Sequence, residues 1–215
     1  MILFFQPMEI IPNFVVIEGG DGSGTTTQLT MLTERLKNSG NCPFFPTFEP
    51  TEGETGRLIR RALKKEIILT PQTLAMLFAA DRNEHVYGPE GILEQANSGK
   101  LVICDRYVLS SLVYQGIECG DELPESLNAG FPAPHTMILL DIDPKIALER
   151  VKSRPAHEIY EYLEFQEKVR EKYLSRLGYY QDTGTKTVTL DASKSAQEVA
   201  GEVWKIVSLM PIFKT

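Results

Sequence analysis

The segment FVVIEGGDGSGTTTQ, which begins at residue 14, constrains the fold more than any other part of the sequence. An apolar run typical of a β-strand stops at a cluster of glycines, and a polar helical pattern follows over 26–37. Gly19, Gly24 and Thr26 match the pattern G-x-x-x-x-G-K-[ST], with Thr25 in the place of the lysine. Such a loop turns its backbone N–H groups toward phosphate oxygens. A glycine-rich turn without a ligand is the alternative, but the position between a strand and a helix favours phosphate binding.

Four further apolar runs predict the other strands of a sheet. LVIC at 101–104 and MILLDI at 137–142 are nearly uninterrupted, as expected for parallel strands covered on both faces. TVTLD at 187–191 predicts the last strand, and PFFPTF near 44–48 predicts an edge strand because Pro46 has no N–H to donate. Helical patterns alternate with these runs over 26–37, 71–97, 160–180 and 196–209. The sequence therefore predicts an α/β fold, a doubly wound parallel five-stranded sheet flanked by helices.

The length of 215 residues fits one large domain better than two small ones. We assign residues 13–215 to that domain and residues 1–12 to an N-terminal extension. A composition with 42% hydrophobic and 24% charged residues excludes a collagen, a disordered protein and a disulfide scaffold. The net charge of -7 argues against a protein whose whole surface binds nucleic acid. We therefore expect anionic ligands to meet local basic clusters.

The cysteine content and the hydropathy of the sequence favour a reducing compartment, the cytoplasm. The three cysteines, Cys42, Cys104 and Cys119, are an odd number without C-x-x-C spacing, so they indicate neither a disulfide framework nor a zinc site. No apolar run approaches the ~20 residues that a membrane-spanning helix needs. The apolar N-terminus contains two prolines and Glu9 and does not fit a signal peptide. We therefore expect a cytoplasmic protein without membrane or nucleic-acid partners.

Four ordered motifs extend the pattern that the glycine-rich loop begins. They are Phe48-Glu49-Pro50, the helical set Phe78, Ala80 and Arg82, then Asp105-Arg106-Tyr107, and Tyr114-Gln115-Gly116. With these motifs and LLDIDPKIALERV at 139–151, the chain resembles the thymidylate kinase family over most of its length. The resemblance implies a P-loop fold of the nucleoside monophosphate kinase type. It also implies an enzyme of dTTP biosynthesis that moves the γ-phosphoryl of ATP to dTMP, with Mg²⁺ as cofactor and a homodimer as its assembly.

The resemblance also implies roles for individual residues. The loop residues that would hold the phosphates of ATP are Gly19, Gly20, Asp21, Gly22, Ser23, Gly24, Thr25 and Thr26, and Arg150 would lie against the adenine. The residues that would bind dTMP are Asp21, Glu49, Arg60, Phe78, Arg82, Arg106, Tyr114 and Gln115. Asp105, Arg106 and Arg154 would be catalytic, and Thr26 and Asp105 would hold the magnesium ion.

The residue types suit these roles. Phe78 offers a flat face to a pyrimidine, and Arg82, one helical turn on, can donate to a ring carbonyl. Core packing is the alternative for this helix. Asp105 and Arg106 follow a strand at its carboxyl end, where ligands meet an open α/β sheet, although such a pair can also be a simple salt bridge. Arg60 belongs to a basic helical face whose other cations we expect to be surface charge.

Three cations that the family carries are absent from this sequence. Thr25 replaces the loop lysine, Phe48 replaces an arginine before Glu-Pro, and Ile159 replaces an arginine in the lid segment near 152–161. Enzymes accelerate phosphoryl transfer mainly with positive charges that stabilise the negative charge of the transition state. The cations that could replace the missing ones are Lys152 and Arg154 of the lid segment. The open alternatives are a nucleotide-binding accessory protein with little turnover, and a kinase for another monophosphate or a deoxynucleoside.

Overall fold

The chain folds around one parallel sheet of five strands in the order β2-β3-β1-β4-β5. The computed structural model describes residues 9–40, 42–151 and 163–213. The strands are β1 (Ile10–Gly19), β2 (Phe44–Phe48), β3 (Leu101–Asp105), β4 (Ala133–Asp141) and β5 (Lys186–Asp191). Every neighbouring pair is parallel, so each connection crosses over the sheet. The predicted α/β fold with a five-stranded parallel sheet is confirmed, and the strand with Pro46 lies at its edge.

Helices connect the strands and cover both faces of the sheet. Within the described ranges they are α1 (Thr25–Ser39), α2 (Glu54–Leu63), α3 (Pro71–Tyr87), α4 (Ile92–Asn97), α5 (Val108–Cys119), α6 (Glu122–Asn128), α7 (Pro144–Val151), α8 (Leu163–Arg176) and α9 (Ala196–Val207). Two 3-10 helices span Leu177–Thr183 and Pro211–Phe213. The single helix predicted over 71–97 is wrong. Gly88 is extended, with φ -70° and ψ 171°, because Pro89 disfavours helical geometry at the residue before it.

β1 is the central strand, and its side chains alternate between two hydrophobic cores. Phe14 and Val16 face the core that contains residues of α5 and α8, whereas Val15 and Ile17 face the core that contains residues of α1 and α9. The strand starts at Ile10, earlier than the predicted run, because its first residues pair with β4 ahead of a register shift. Packing on both faces and pairing on both edges therefore hold the carboxyl end of β1 in place.

The connections create a crevice at the carboxyl end of β1. β2 and β3 lie on one side of this strand, and β4 and β5 lie on the other. Chain segments that leave for opposite sides of a sheet open a space between them, and ligands of α/β proteins bind in such spaces. None of the helices in the described part of the chain is long and apolar enough to cross a bilayer.

Candidate active site

A cavity of about 400 Å³ opens at the carboxyl ends of β1 and β3. Its walls come from the glycine-rich loop after β1, the turns after β2 and β3, and the helices α2, α3 and α5. The predicted site residues that line it are Gly20, Asp21, Gly22, Gly24, Thr25, Thr26, Glu49, Arg60, Phe78, Arg82, Asp105, Arg106, Tyr114 and Gln115. Residues assigned to the donor nucleotide and residues assigned to the acceptor nucleotide therefore share one cavity, whereas Gly19 and Ser23 of the loop are not part of its lining.

The glycine-rich loop, residues 19–24, needs glycine at particular positions. Gly24 has φ 96°, in the left-handed region that glycine adopts without steric cost. A Cβ at Gly19 would lie 2.4 Å from Ser23 Oγ and 3.0 Å from Leu140 O, so the serine side chain and the carbonyl would have to shift to admit one. Gly24 directly precedes α1, and the free N–H groups of the first helical turn begin at the cavity wall. This arrangement is suited to an anionic phosphate.

Thr26 and Asp105 meet in the cavity wall. Thr26 Oγ1 donates to Asp105 Oδ2 over 2.6 Å. The other carboxylate oxygen, Asp105 Oδ1, is buried and has no hydrogen-bond partner among the described residues. A buried carboxylate oxygen is costly unless a cation or donor meets it. Hydroxyl and carboxylate oxygens are ligands that Mg²⁺ prefers, together with phosphate oxygens of a substrate, so this pair fits a magnesium ion.

Asp21 and Arg106 form an ion pair at the same wall. Arg106 Nη2 lies 2.7 Å from Asp21 Oδ1, and Tyr114 OH donates to the same oxygen over 3.2 Å. Arg106 Nη1 also donates to Tyr114 OH over 3.3 Å. Although burial works against its charge, Tyr114 and Asp21 hold the pKa of Arg106 well above the ordinary value. The cavity therefore contains an oriented, charged guanidinium, which suits binding of a phosphate.

Gln166 of α8 is a site residue that the sequence analysis missed. Its Oε1 accepts from Asp21 N over 3.3 Å, and its Nε2 donates to Asp21 Oδ2 over 3.3 Å. One side chain thus binds both the backbone and the carboxylate of Asp21. No motif distinguishes Gln166 within the charged helical pattern, and only the packing of α8 against the loop brings it there. Predicting this contact would have required the distance between α8 and the glycine-rich loop, which the sequence does not give.

Arg82 is surrounded by acceptors of the protein itself. The residue is 1% exposed, and its Nε and Nη2 donate to Glu49 Oε2 over 2.9 and 2.6 Å. Nη2 also donates to Tyr107 O and Ser111 Oγ, and Nη1 donates to Asn128 Oδ1. Sequence reasoning expected this guanidinium to need an acceptor on a ligand. The fold supplies several acceptors instead.

The Glu49 carboxylate completes this buried cluster. Its Oε1 lies 3.0 Å from His85 Nδ1, opposite the oxygen that binds Arg82. Burial alone would raise the pKa of Glu49, but Arg82 and His85 bring it below the ordinary value. Glu49 and Arg82 therefore form an ionised pair within the fold. A contact from Arg82 to a base stays a prediction, and the half-buried ring of Phe78 lines the same cavity.

Arg60 is the arginine of α2 that lines the cavity. Its guanidinium lies 5.5 Å from the centroid of the Phe48 ring and 3.4 Å from Glu52 Oε1. Phe48, which replaces an arginine of the motif, thus gives Arg60 an aromatic surface. The two other arginines of this helix, Arg57 and Arg61, are exposed and pair with nearby glutamates, as predicted for surface charge.

Gln115 of α5 brings an open acceptor to the cavity. The residue is 2% exposed, and its Oε1 has no hydrogen-bond partner within the described ranges. A buried amide oxygen without a donor costs free energy. The position therefore favours a ligand that carries an N–H or O–H group.

Similarity to known proteins agrees with this geometry. A family model described as thymidylate kinase matches residues 17–203. The chain belongs to the thymidylate kinase family. A protein of Treponema pallidum (strain Nichols) named as a thymidylate kinase is 46% identical over 167 residues, which cover 77% of this chain and 79% of that protein. Another, from Pyrobaculum aerophilum, is 40% identical over 205 residues, which cover 94% and 99%. The chain is therefore a member of a family of kinases.

Two further expectations drawn from the thymidylate kinase family concern Arg150 and the lid segment. Arg150, in the last turn of α7, donates to Ala192 O over 2.9 Å and to Ser193 O over 3.3 Å. It thereby holds the loop after β5, and its contact with an adenine stays a prediction. The lid segment with Lys152 and Arg154 lies outside the described residues.

Proposed function

We propose that this member of the thymidylate kinase family transfers the γ-phosphoryl group of ATP to dTMP and releases dTDP and ADP. The observation that carries the proposal is one cavity of about 400 Å³ that joins the glycine-rich loop to an acceptor pocket lined by Phe78, Arg106 and Gln115. Phosphoryl transfer needs two nucleotides held close and in line. A single cavity with a donor end and an acceptor end supports that arrangement.

The acceptor end suits a pyrimidine deoxynucleotide. Phe78 would stack on the base, and Gln115 Oε1 would accept from its ring N–H. Arg106 would bind the acceptor phosphate, because Asp21 and Tyr114 hold its guanidinium at the cavity wall. Asp21 would approach the 3'-hydroxyl of the sugar. These roles together favour a deoxyribose monophosphate over a free base or nucleoside.

The donor end would bind the phosphates of ATP together with magnesium. Thr26 and Asp105 would hold the ion, and the buried unpartnered oxygen of Asp105 supports this assignment. When bound, the ion neutralises charge on the β- and γ-phosphates. The N–H groups of the loop and of the first turn of α1 would hold the donor phosphates. Arg106 would direct an oxygen of the acceptor phosphate toward the γ-phosphorus.

The absent loop lysine leads to a prediction about Arg154. Arg154→Ala is expected to lower kcat by at least about tenfold, because Arg154 would supply the missing positive charge at the donor phosphates. Thr25→Lys is expected to restore part of that loss in the Arg154→Ala background. The expected coupling between the two changes is at least ~1 kcal/mol. It is measured from kcat of the wild type, both single variants and the double variant.

Lys152→Ala is the matched comparison for Arg154→Ala in the same segment. A larger loss in Lys152→Ala would assign the compensating charge to the lysine. If both alanine variants keep wild-type kcat and Thr25→Lys has no effect, compensation by the lid is wrong. Loop N–H groups and magnesium would then suffice.

A coupled assay of ADP release with ATP and dTMP tests the proposed function. We expect ADP formation that depends on dTMP and exceeds hydrolysis of ATP alone. Nucleotide binding without turnover would support an accessory protein instead. Faster turnover with another monophosphate, or with thymidine, would support a kinase of different specificity.

We also propose that the chain works as a homodimer in the cytoplasm. Met76 and Tyr87 of α3, which are each about half exposed, would contact the second copy. The three cysteines are free thiols, which suits a reducing compartment.

A further inference from the structure

Glu18, the residue before the glycine-rich loop, is a buried carboxylate to which the motifs and the proposed reaction assign no role. It lies next to the carboxyl end of β1 and is 0% exposed. Its hydrogen-bond partners within the described ranges are neutral donors from the backbone, a serine and a tyrosine. Because a buried carboxylate without a bonded cation is costly, its position depends on these donors.

One oxygen of Glu18 binds the backbone that follows β3. Tyr107 N donates to Oε1 over 2.9 Å, and Ser110 N donates to the same oxygen over 3.3 Å. These N–H groups belong to the open first turn of α5, where the N-cap residue Tyr107 makes no side-chain cap. Glu18 therefore caps α5 from a neighbouring strand.

Arg106 lies between two contacts with β1. Arg106 N donates to Ile17 O over 2.9 Å, and the next N–H, that of Tyr107, donates to Glu18. Arg106 has φ 69°, a left-handed conformation that a non-glycine residue keeps only where its surroundings impose it. The contacts with Ile17 and Glu18 lie on either side of this residue, whose guanidinium pairs with Asp21.

The second oxygen of Glu18 connects α8 to the same junction. Ser110 Oγ donates to Oε2 over 2.6 Å, and Tyr173 OH lies 3.2 Å from Oε2 and 2.8 Å from Ser110 Oγ. Tyr173 belongs to α8, the helix whose Gln166 holds Asp21. Glu18 thus contacts both elements that fix the ion pair between Asp21 and Arg106.

We propose that Glu18 is a positioning residue for phosphoryl transfer, whose carboxylate holds the backbone of Arg106 and helix α8 against the glycine-rich loop. The proposal rests on the proposed function, because it assigns Arg106 to the acceptor phosphate. The ionised carboxylate accepts hydrogen bonds at both oxygens. A protonated carboxyl must donate one, so that Ser110 Oγ or Tyr173 OH can no longer donate to it. Protonation therefore loosens the contact with α5 and α8.

This loosening is expected close to neutral pH. Burial raises the pKa of Glu18 to about 7, against the opposing effects of the Ser110 hydroxyl, the charge of Arg106 and the N–H groups of Tyr107 and Ser110. The other titratable groups that interact with it are Tyr173 of α8, Tyr180 of the first 3-10 helix and Cys104 of β3. Burial raises the pKa of each well above its ordinary value, so these groups stay neutral. Among the described groups of this junction, Glu18 is the one expected to change its charge.

Glu18→Gln tests the proposal, because glutamine keeps an acceptor oxygen and cannot ionise. We measure kcat/KM for dTMP from pH 6 to pH 8.5 and compare the ratio of wild type to variant at each pH. Nucleotide phosphates titrate near pH 6 themselves, and this effect cancels in the ratio. We expect the ratio to rise at least about fivefold, with a midpoint near pH 7. A ratio that does not change with pH overturns the proposal.

The melting temperature distinguishes positioning from a purely structural role. Burial raises the pKa of Glu18 from 4.5 to about 7, so between these pH values the group is ionised in the unfolded chain and protonated in the folded one. The free energy of unfolding therefore falls as the pH rises through that interval. Glu18→Gln is therefore expected to keep or raise the melting temperature at pH 8. A lowered melting temperature with a constant ratio would mean that Glu18 is structural only.

A second pair of variants decides the matter if Glu18→Gln does not fold. Ser110→Ala removes the shortest hydrogen bond to the ionised carboxylate, so the midpoint of the pH profile is expected to move up by about half a unit. Ser111→Ala is the matched control, because the Ser111 hydroxyl accepts from Arg82. The midpoint of the pH profile of this variant is expected to equal that of the wild type. An unchanged midpoint in Ser110→Ala overturns the proposal.

A wild type without turnover of dTMP would overturn the proposed function as well. An active wild type whose pH profile coincides with those of the variants would overturn only the role of Glu18.

Discussion

Replacing Arg106 by alanine is expected to lower kcat/KM for dTMP by about a thousandfold. The guanidinium lines the cavity and keeps its charge beside Asp21 and Tyr114. Its loss removes the cation assigned to the acceptor phosphate and leaves the Asp21 carboxylate facing an anionic substrate, which adds repulsion. Steady-state kinetics with dTMP and ATP varied in turn measures the effect. The melting temperature, measured alongside, separates it from unfolding.

Arg57→Ala is the matched control, because Arg57 is an exposed arginine of α2 that pairs with Glu54. Its kcat/KM is expected to stay within about twofold of the wild type. Arg106→Lys keeps the charge but loses the planar donor fork, so we expect it to recover part of the activity. If Arg106→Ala keeps both the kinetics and the melting temperature of the wild type, the assignment is wrong.

Arg82→Ala is expected to lower the free energy of unfolding by about 3 to 5 kcal/mol at pH 7. The change leaves the Glu49 carboxylate buried without its principal cation, and it also leaves Asn128 Oδ1 and Ser111 Oγ without their donor. Such a loss is a large part of the ~5 to 15 kcal/mol that stabilises a typical domain. Urea unfolding of the variant and the wild type measures it. Arg57→Ala again serves as the control, with an expected change below about 0.5 kcal/mol.

The loss of stability in Arg82→Ala is expected to depend on pH. Despite its burial, Glu49 has a pKa below the ordinary value of 4.5, because Arg82 and His85 stabilise its ionised form. A carboxyl group with a lowered pKa stabilises the folded chain at pH values above its ordinary pKa. This contribution is lost as the pH falls through the pKa of the folded state. The penalty of Arg82→Ala is therefore expected to shrink toward pH 4, where protonation removes the unpaired charge. Unchanged stability with selectively weakened dTMP binding would favour a contact from Arg82 to the base instead.

The parts of the site that are local in sequence could be predicted before the fold was known. The loop at 19–24 and the pair Asp105 and Arg106 each follow an apolar strand pattern, and the carboxyl ends of parallel strands meet at one edge of the sheet. Sequence reasoning therefore placed these residues at the ligand-binding edge. The helix predicted over 71–97 is interrupted at Gly88, because the proline that follows this residue disfavours helical geometry there.

The strands and the glycine-rich loop can be predicted from the sequence, because they depend on near neighbours along the chain. The partner of each polar group depends on the folded arrangement instead. Gln166 reaches Asp21 across 145 positions, and Glu18 reaches Tyr107 N across 89. Arg82 likewise binds Glu49 within the fold, where sequence reasoning expected a ligand. A donor forms its hydrogen bond with whichever acceptor packing brings within reach, and packing depends on the register and order of all five strands.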